Sequence, residues 1–307
     1  MRVLLVVNPT ASSVTPRVRA DVERVLRRAH TVDVVETTRR GHAAALARDA
    51  VEAGYDVVAV LAGDGTLNEA SGGLAGSPVA LAPLPGGSTN VFARTIGLAY
   101  KPETAAQQVV EALARKSSRR LGLGAAAAPG APPRHFLFHL GIGFDAAIIR
   151  RMEQHSSVKR YLAHPAFAAT TLTTWFRHYD RHARIHFTVD KIEVGVGPYA
   201  VISNSDPYAY VGRRALRIAP GASLDAELTI TLLRTLRGAV VVRAAAAAVG
   251  RITYLTSSPE IVQRTDVQAV EVTADAPFPW QVDGDYLGEV EHLAVTYAPD
   301  CLTVVFP

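Results

Sequence analysis

Residues 55–69 read YDVVAVLAGDGTLNE, and this segment decides the expected architecture of the first part of the chain. Its apolar run at 55–61 is typical of a strand buried on both faces of a parallel sheet. A turn with two glycines follows, and residues 67–75 can form a helix. A glycine-rich turn between a strand and a helix leaves backbone N–H groups unpaired at the helix start, where the helix dipole also favours an anion. The segment therefore predicts a phosphate-binding turn.

The side chains of this turn suit a nucleotide. Gly63 and Gly65 permit positive φ and close approach of a ligand, and Thr66 offers a hydroxyl. Asp64 can hold Mg²⁺ or its water shell against a triphosphate. No Walker lysine accompanies them. The alternative is a plain chain reversal, because Asp-Gly is also a common turn dipeptide.

A second turn of similar character strengthens the nucleotide interpretation. Another apolar run, at residues 79–84, leads into Pro85 and Gly86, and a helical pattern resumes at Val91. The intervening candidate binding residues are Gly87, Ser88, Thr89 and Asn90. In an open α/β sheet the carboxyl ends of the strands share one crevice, so both turns are expected to converge on one ligand.

The length of the chain and a change in its predicted secondary structure indicate two domains. The chain has 307 residues, 49% of them hydrophobic, which is enough for more than one core. Strands and helices alternate over residues 1–121, which predicts a parallel sheet with helices on its faces. From 122 to 307 short strands dominate, with helices expected at about 158–179 and 239–249, so this part is predicted to be mainly antiparallel β. The strand-like tail at about 293–307 is expected to be able to return to the first domain.

The sequence predicts neither a signal peptide nor a transmembrane helix. A single cysteine excludes an intramolecular disulfide and fits a reducing cytoplasm. The apolar runs at 3–7 and 238–250 are too short for a signal-peptide core and for a bilayer span of roughly 20 residues, respectively. A cytoplasmic protein is expected.

The net charge of +4 is mild, but basic residues occur in pairs at 119–120, 150–151 and 159–160. Such pairs can help a protein settle on anionic lipid, where each cation contributes about 1 kcal/mol, or they can serve solubility. No nucleic-acid-binding signature accompanies the charge, so no nucleic-acid partner is expected.

Taken together along nearly the whole chain, these motifs resemble the diacylglycerol kinase catalytic-domain family, which includes bacterial soluble lipid kinases and the sphingosine and ceramide kinases. The resemblance depends on the order and spacing of several short motifs. They are Asn8-Pro9, Thr37 with residues 41–43, residues 63–66 with Asn68 and Glu69, residues 85–94, residues 141–146, and residues 283–285.

The resemblance implies a fold and an activity. The fold is α/β, with an N-terminal Rossmann-like, NAD-kinase-like domain and a C-terminal β-rich domain that admits the lipid. The nucleotide would lie in the cleft between them. The activity would be transfer of the γ-phosphate of ATP, with Mg²⁺, to a lipid hydroxyl, with diacylglycerol giving phosphatidic acid as the expected reaction. The enzyme would meet its lipid peripherally at the inner face of the membrane, and an edge strand of the β domain could pair two chains into a homodimer.

The resemblance also assigns site residues. Asn8, Thr37, Asn68 and Glu69 would join the two turns in binding the nucleotide. The expected catalytic acids are Asp64, Asp283 and Asp285. Asp283 matches the first acid of the family's Asp-Gly-Glu motif and would be the base, whereas Asp285 replaces the glutamate with a shorter side chain of the same charge. Without the resemblance, Asp283 would read as an ordinary turn aspartate.

Several positions depart from the family pattern. Ala62 stands where the family has glycine, Ser88 where it has threonine, and Val91 where it has aspartate. Some soluble bacterial members hold a structural Mg²⁺ through an Asp-Gly-x-Leu-Asp run. The matching run at 225–229 reads DAELT and keeps only the first carboxylate, Asp225, so that metal site is expected to be absent or poorly occupied.

Two other functions stay open. One is a kinase of another acceptor, either a sphingoid lipid or a soluble molecule such as NAD, because NAD kinases share a Gly-Asp-Gly core and a following Asn-Glu pair. The other is a protein that binds nucleotide or lipid without turnover, which the departures at Val91 and Asp285 suggest.

Overall fold

The computed structural model describes residues 1–154, 179, 183–212, 214–250 and 253–307. The chain divides into two compact units. Unit 1 comprises Met1–Leu123 and Ala298–Pro307, and unit 2 comprises Gly124–Tyr297.

The strands are β1 (Arg2–Val7), β2 (Thr31–Glu36), β3 (Val57–Ala62), β4 (Ala80–Pro85), β5 (Ser118–Ala127), β6 (Arg134–Phe136), β7 (His139–Gly143), β8 (Ile185–Val189), β9 (Ile192–Gly197), β10 (Tyr199–Ser203), β11 (Ala209–Val211), β12 (Arg214–Leu216), β13 (Leu228–Leu233), β14 (Ile261–Val267), β15 (Ala269–Val282) and β16 (Asp285–Val305). The helices are α1 (Pro16–Arg27), α2 (His42–Glu52), α3 (Asp64–Leu74), α4 (Val91–Thr95), α5 (Pro102–Ala114), α6 (Phe144–Gln154), α7 (Gly238–Val249) and α8 (Thr253–Ser257).

Unit 1 is built on a parallel sheet in the order β4-β3-β1-β2, with the last residues of β16 added beside β4. Every residue of β3 and β4 is buried, as their apolar sequences predict. Helices α1 and α5 pack together, and so do α2 and α3. The predicted parallel α/β architecture is confirmed, and it brings the carboxyl ends of β1, β3 and β4 to one edge of the sheet.

Unit 2 is mainly antiparallel, as predicted. Its sheet runs β14-β13-β10-β7-β15-β16, and β8 and β9 extend from β15. Strand β8 alternates buried and partly exposed residues, which is the pattern of a strand with one face toward a core. The core between the strands includes Phe136, Phe187 and Trp280.

Several element bounds differ from those predicted. The helix expected at 67–75 begins three residues earlier, because Gly63 is extended and acts as the N-cap, so that Asp64 already lies in the first turn. The β segment expected at 136–140 is divided between β6 and β7. The helix expected at 239–249 is present as α7, whereas the one expected at about 158–179 lies outside the described residues, apart from residue 179. In the part of the chain that the structure describes, no helix is both long enough and apolar enough to cross a membrane.

Candidate functional site

The turns that follow β1, β3 and β4 interlock at the edge of the unit 1 sheet. The backbone N–H of Asn8 donates to Leu61 O at 3.1 Å, and that of Gly86 donates to Ala62 O at 2.8 Å. The N–H of Ser13 in turn donates to Gly86 O at 2.9 Å. The two glycine-rich turns therefore lie side by side, and the turn after β1 joins them. Their convergence on one ligand stays a prediction.

Two glycines allow this close packing. A Cβ atom added to Gly87 would lie 2.7 Å from Gly63 Cα, and one added to Gly86 would lie 2.8 Å from Ala62 N. Contacts this short with backbone atoms force a shift of the chain. Any side chain at these positions would therefore separate the two turns.

The start of α3 is open to a ligand. Its N-cap is Gly63, which provides no side-chain hydrogen bond, so the first N–H groups of this 11-residue helix lack a side-chain cap. A Cβ atom on Gly65 would meet no atom of the described residues within 4 Å. The Thr66 hydroxyl lies at the same place and accepts from Asn8 Nδ2 at 3.0 Å. Backbone donors, a hydroxyl and open space together fit a phosphate group.

Asp64 ties the second turn to the first. Its Oδ2 accepts from the N–H of Val91 at 2.9 Å and from the Thr89 hydroxyl at 3.3 Å, while its Oδ1 accepts from the N–H of Phe92 at 3.3 Å. Burial raises the pKa of the Asp64 carboxyl, and the backbone donors partly offset that rise. The carboxylate thus caps α4 in the way that acidic groups stabilise helix starts. Its role as a metal ligand stays a prediction.

Asn90 closes the second turn on itself. It is buried in the left-handed region with φ of 47°. Its Oδ1 accepts from the N–H of Gly87 at 2.8 Å, and its Nδ2 donates to Gly87 O at 2.8 Å. Ser88, at the tip of the turn, is exposed, so its hydroxyl is the one that this turn presents outward.

Glu69 and Asn68 contact protein groups rather than open space. The Glu69 carboxylate accepts from the N–H of Gly41 at 2.8 Å and from that of Ala43 at 3.3 Å, so it caps α2. Asn68 is buried within α3 beside Ser71. Thr37 follows β2 and donates its N–H to Val7 O at 2.8 Å, which places it at the same sheet edge as Asn8. Nucleotide contacts by these residues stay predictions.

Asp283 occupies the hairpin turn between β15 and β16 in unit 2. Asp283 and Gly284 both have positive φ, 49° and 85°, as a two-residue turn of this kind requires. The Asp283 carboxylate accepts three backbone N–H groups, from Leu137 at 2.8 Å, Phe138 at 3.0 Å and His139 at 2.8 Å. These donors fix the direction of the carboxylate, and they explain why β6 and β7 are separate strands.

The other predicted acids are placed differently. Asp285 begins β16 and lies 3.4 Å from the Arg134 guanidinium, with its side chain only 17% exposed. Asp225 is exposed in the turn before β13. Within the described residues, no three His, Cys, Asp or Glu side chains group closely enough to hold a metal ion. The roles proposed for Asp285 and Asp225 stay predictions.

A buried polar network that the sequence does not predict lies beside Asp283. Gln281 donates through Nε2 to Asp145 Oδ2 at 2.8 Å and accepts at Oε1 from the N–H of Gly284 at 2.7 Å. Tyr208 donates its hydroxyl to Asp145 Oδ1 at 2.9 Å. Burial raises the pKa of Asp145 to about 6. The sequence does carry one hint of this network, because Asp145 and Gln281 are single polar residues within largely apolar segments.

Comparison with known proteins agrees with these observations. Residues 2–121 match the family model described as "Diacylglycerol kinase catalytic domain", and residues 139–306 match "YegS C-terminal NAD kinase beta sandwich-like domain". A relative from Chromohalobacter salexigens, "Probable lipid kinase YegS-like", is 28% identical over 89% of this chain and 84% of its own length.

Solved structures share the fold. A diacylglycerol kinase from Bacillus anthracis str. Sterne aligns with a TM-score of 0.72 at 17% identity, and a "putative diacylglycerol kinase" from the same organism aligns with a TM-score of 0.76 at 20% identity. Each alignment covers 100% of this chain and 97% of the other. With both parts of the sequence matched by the family models, the chain belongs to the diacylglycerol kinase catalytic-domain family of lipid kinases.

Proposed function

We propose that the protein transfers the γ-phosphate of ATP to the hydroxyl of diacylglycerol and so produces phosphatidic acid. The observation that carries the proposal is the uncapped start of α3, which lies beside two interlocked glycine-rich turns. This arrangement offers backbone donors to a phosphate at the carboxyl edge of a parallel sheet.

Each group in unit 1 has a defined task in this proposal. The N–H groups at the start of α3 and the Thr66 hydroxyl bind the nucleotide phosphates, and Asn8 orients Thr66. Asp64 keeps the second turn in place, so that the exposed Ser88 hydroxyl can reach the same phosphates. Membership of a kinase family implies ATP and a divalent metal, and Mg²⁺ is the metal we propose, since it neutralises charge on the transferred phosphoryl group.

Unit 2 supplies the base in this proposal. Asp283 accepts the proton of the lipid hydroxyl while that oxygen attacks the γ-phosphorus, and the bond from the γ-phosphorus to the bridging oxygen breaks to release ADP. Three backbone donors hold the Asp283 carboxylate in one direction, so the position of the proposed proton acceptor is fixed. Asp285 would assist as a partner of phosphate or metal.

The choice of acceptor is supported by relatives. The matched family model and the two Bacillus anthracis proteins carry diacylglycerol in their names, and the Chromohalobacter salexigens relative is named as a lipid kinase. Because diacylglycerol resides in membranes, we propose a cytoplasmic enzyme that contacts the inner membrane surface peripherally. The paired basic residues would contact anionic lipid, and a homodimer is compatible with this arrangement.

The proposal is tested by offering the purified protein radiolabelled ATP with Mg²⁺ and one acceptor at a time. The acceptors are diacylglycerol, ceramide, sphingosine and NAD, with the lipids in mixed micelles. We expect label in phosphatidic acid. Label only in NADP would refute the lipid assignment, and label only in a sphingoid product would refute the choice of diacylglycerol.

Two variants complete the test. Asp283→Asn is expected to lower kcat at least about 1000-fold, because it removes the proton acceptor. The amide has one acceptor oxygen for donors that now reach both carboxylate oxygens, so urea unfolding of the variant is measured alongside its kcat. Thr229→Val serves as a control, since Thr229 is buried in β13 and its hydroxyl has no hydrogen-bond partner among the described residues. An Asp283→Asn protein with the wild-type rate would overturn the assignment of the base.

A further inference from the structure

A chain of buried contacts leads from α6 to the turn that carries Asp283. The Tyr208 hydroxyl donates to Asp145, the Asp145 carboxylate accepts from Gln281, and Gln281 accepts from the N–H of Gly284. Asp145 is 5% exposed and Gln281 is 0% exposed. Gly284 is bonded covalently to Asp283, so the chain ends at the proposed base.

A second route returns to the same turn. The N–H of His139 donates to Asp283 Oδ1 at 2.8 Å, and the N–H of Asp283 donates to His139 O at 3.0 Å. The His139 ring stacks on Tyr208, with ring centroids 4.1 Å apart and an interplanar angle of 29°. The polar chain and the His139 contacts therefore form a closed circuit around the Asp283 turn.

The charge of Asp145 fixes the orientation of the Gln281 amide. An ionised carboxylate only accepts hydrogen bonds, so Gln281 must turn its Nε2 toward Asp145. Its Oε1 then faces the N–H of Gly284, which only donates. The flipped amide would bring oxygen to oxygen on one side and N–H to N–H on the other. Asp145 thus sets the orientation of the Gln281 amide, and that orientation lets Gln281 accept the N–H of Gly284 in the turn.

Gly141 leaves the space in which the pair meets. A Cβ atom at Gly141 would lie 1.8 Å from Asp145 Oδ2 and 2.5 Å from Gln281 Nε2. In β7, Gly141 pairs with Gln281 of β15, so the glycine lies directly beneath the contact. The pairing of β7 with β15 and the absence of a side chain at Gly141 together allow the hydrogen bond between Gln281 and Asp145.

We propose that Gln281 and Asp145 are positioning residues, which hold the Asp283 turn in the conformation that directs its carboxylate toward the acceptor hydroxyl. The inference rests on the proposed function of Asp283 as the base. Three backbone donors set the direction of the carboxylate from one side, and the Gln281 contact with Gly284 holds the turn from the other.

The central experiment compares Gln281→Met with the wild-type protein. Methionine fills a similar volume but cannot bridge Asp145 and Gly284. We expect kcat to fall about 10- to 100-fold, since small misplacement of a catalytic group has effects of this size, with an unchanged KM for ATP. Hydrogen exchange of the peptide that contains Gly284 should become faster, because its N–H loses its acceptor. Thr229→Val should change neither quantity.

A charge variant separates positioning from simple packing. In Gln281→Glu two carboxylates would meet at the former 2.8 Å contact, and they can approach only if they share a proton. The ratio of the variant kcat to the wild-type kcat should therefore rise as pH is lowered from about 8 to about 6. A packing defect alone would leave that ratio constant.

The outcomes distinguish this inference from the proposed function. Faster exchange at Gly284 with a wild-type kcat in Gln281→Met would overturn the inference, and so would unchanged exchange. A constant rate ratio for Gln281→Glu would also contradict it. If Asp283→Asn keeps the wild-type kcat, the assignment of the base itself is wrong, whatever the Gln281 variants show.

Discussion

Gly87 packs against Gly63 so tightly that a Cβ atom on Gly87 would lie 2.7 Å from Gly63 Cα and 3.2 Å from the Asn90 Oδ1 atom. The contact joins the turns after β3 and β4, which makes them one structural unit. Since Asn90 also bonds to both backbone polar groups of Gly87, the second turn has no room to yield toward Asn90. The geometry of the candidate phosphate site therefore depends on a missing side chain.

Gly87→Ala is expected to damage nucleotide binding more than folding. The added methyl would push the second turn away from Gly63 and change the distance between Ser88 and the start of α3. We expect KM for ATP to rise at least about tenfold, in line with loss of well-oriented contacts. Initial-rate kinetics would measure this rise, and the increase in thermal unfolding temperature on adding ATP should shrink.

Gly72→Ala provides the matched control. Gly72 lies within α3 and is exposed, and in the part of the chain that the structure describes a Cβ atom there would meet nothing within 4 Å. Alanine should stabilise the helix by up to about 1 kcal/mol without changing KM for ATP. A Gly87→Ala protein that binds ATP as tightly as this control would contradict the importance of the Gly63 contact.

Asp64→Asn tests the link between the two turns. The amide has one acceptor oxygen, whereas the carboxylate accepts from both Val91 and Phe92 and from the Thr89 hydroxyl. One backbone N–H of α4 would face an NH₂ group, which leaves a buried donor without an acceptor. We expect a loss of about 1–3 kcal/mol in the free energy of unfolding, measured with urea.

The control for Asp64→Asn removes the same charge elsewhere. Asp49 is exposed on α2, so Asp49→Asn should change stability by less than about 0.5 kcal/mol. Equal urea midpoints for the two variants would show that the α4 cap contributes nothing measurable. ATP binding should weaken only in Asp64→Asn, because only there do the turns separate.

The sequence was sufficient to predict the parallel sheet and the meeting of the turns. Apolar runs such as 57–62, together with glycine-rich turns, are local signals that depend on neighbouring residues alone. The common edge then follows from parallel topology, which places the carboxyl ends of β3 and β4 together. Those parts of the site could be inferred before any contact was known.

The partners of the polar side chains could not be inferred. Asp64 and Glu69 both look like ligand-binding acids in the sequence, but each caps a helix that only the folded sheet brings near. Gln281 and Asp145 are 136 positions apart, and the pairing of β7 with β15 is what joins them. Hydrogen-bond partners of this kind depend on tertiary distance, for which one sequence carries no periodic signal.

Glu69→Ala is expected to weaken folding rather than catalysis. The Glu69 carboxylate accepts the N–H groups of Gly41 and Ala43 at the start of α2, which its N-cap Gly41 cannot satisfy with a side chain. Losing such a cap costs about 0.5–2 kcal/mol. Urea unfolding should show this loss, with Glu69→Gln intermediate because its amide keeps one acceptor. A large rise in KM for ATP at unchanged stability would instead favour the nucleotide contact that the family resemblance implies.

The pH dependence of stability tests the charges of His139 and Asp145, two buried groups near Asp283. Burial lowers the pKa of His139 to about 3 from 6.5 and raises the pKa of Asp145 to about 6 from 3.8. As pH falls below 6.5, the unfolded chain gains a proton at His139 that the folded state refuses, so stability falls. Between about pH 6 and 4 the folded state takes up a proton at Asp145 before the unfolded chain does, so stability rises. The two effects oppose each other in that interval.

Asp145→Asn should expose the His139 effect. The variant lacks the stabilising proton uptake at residue 145. Acidification from about pH 6.5 to about pH 4.5 should therefore reduce its free energy of unfolding by about 1–3 kcal/mol more than that of the wild type. This is the size expected for a shift of about 2 pKa units. Urea titrations at both pH values would measure the difference, with Thr229→Val expected to follow the wild type. If Asp145→Asn and the wild type lose equal stability, Asp145 remains ionised in the folded protein at the lower pH. Burial would then not control its charge.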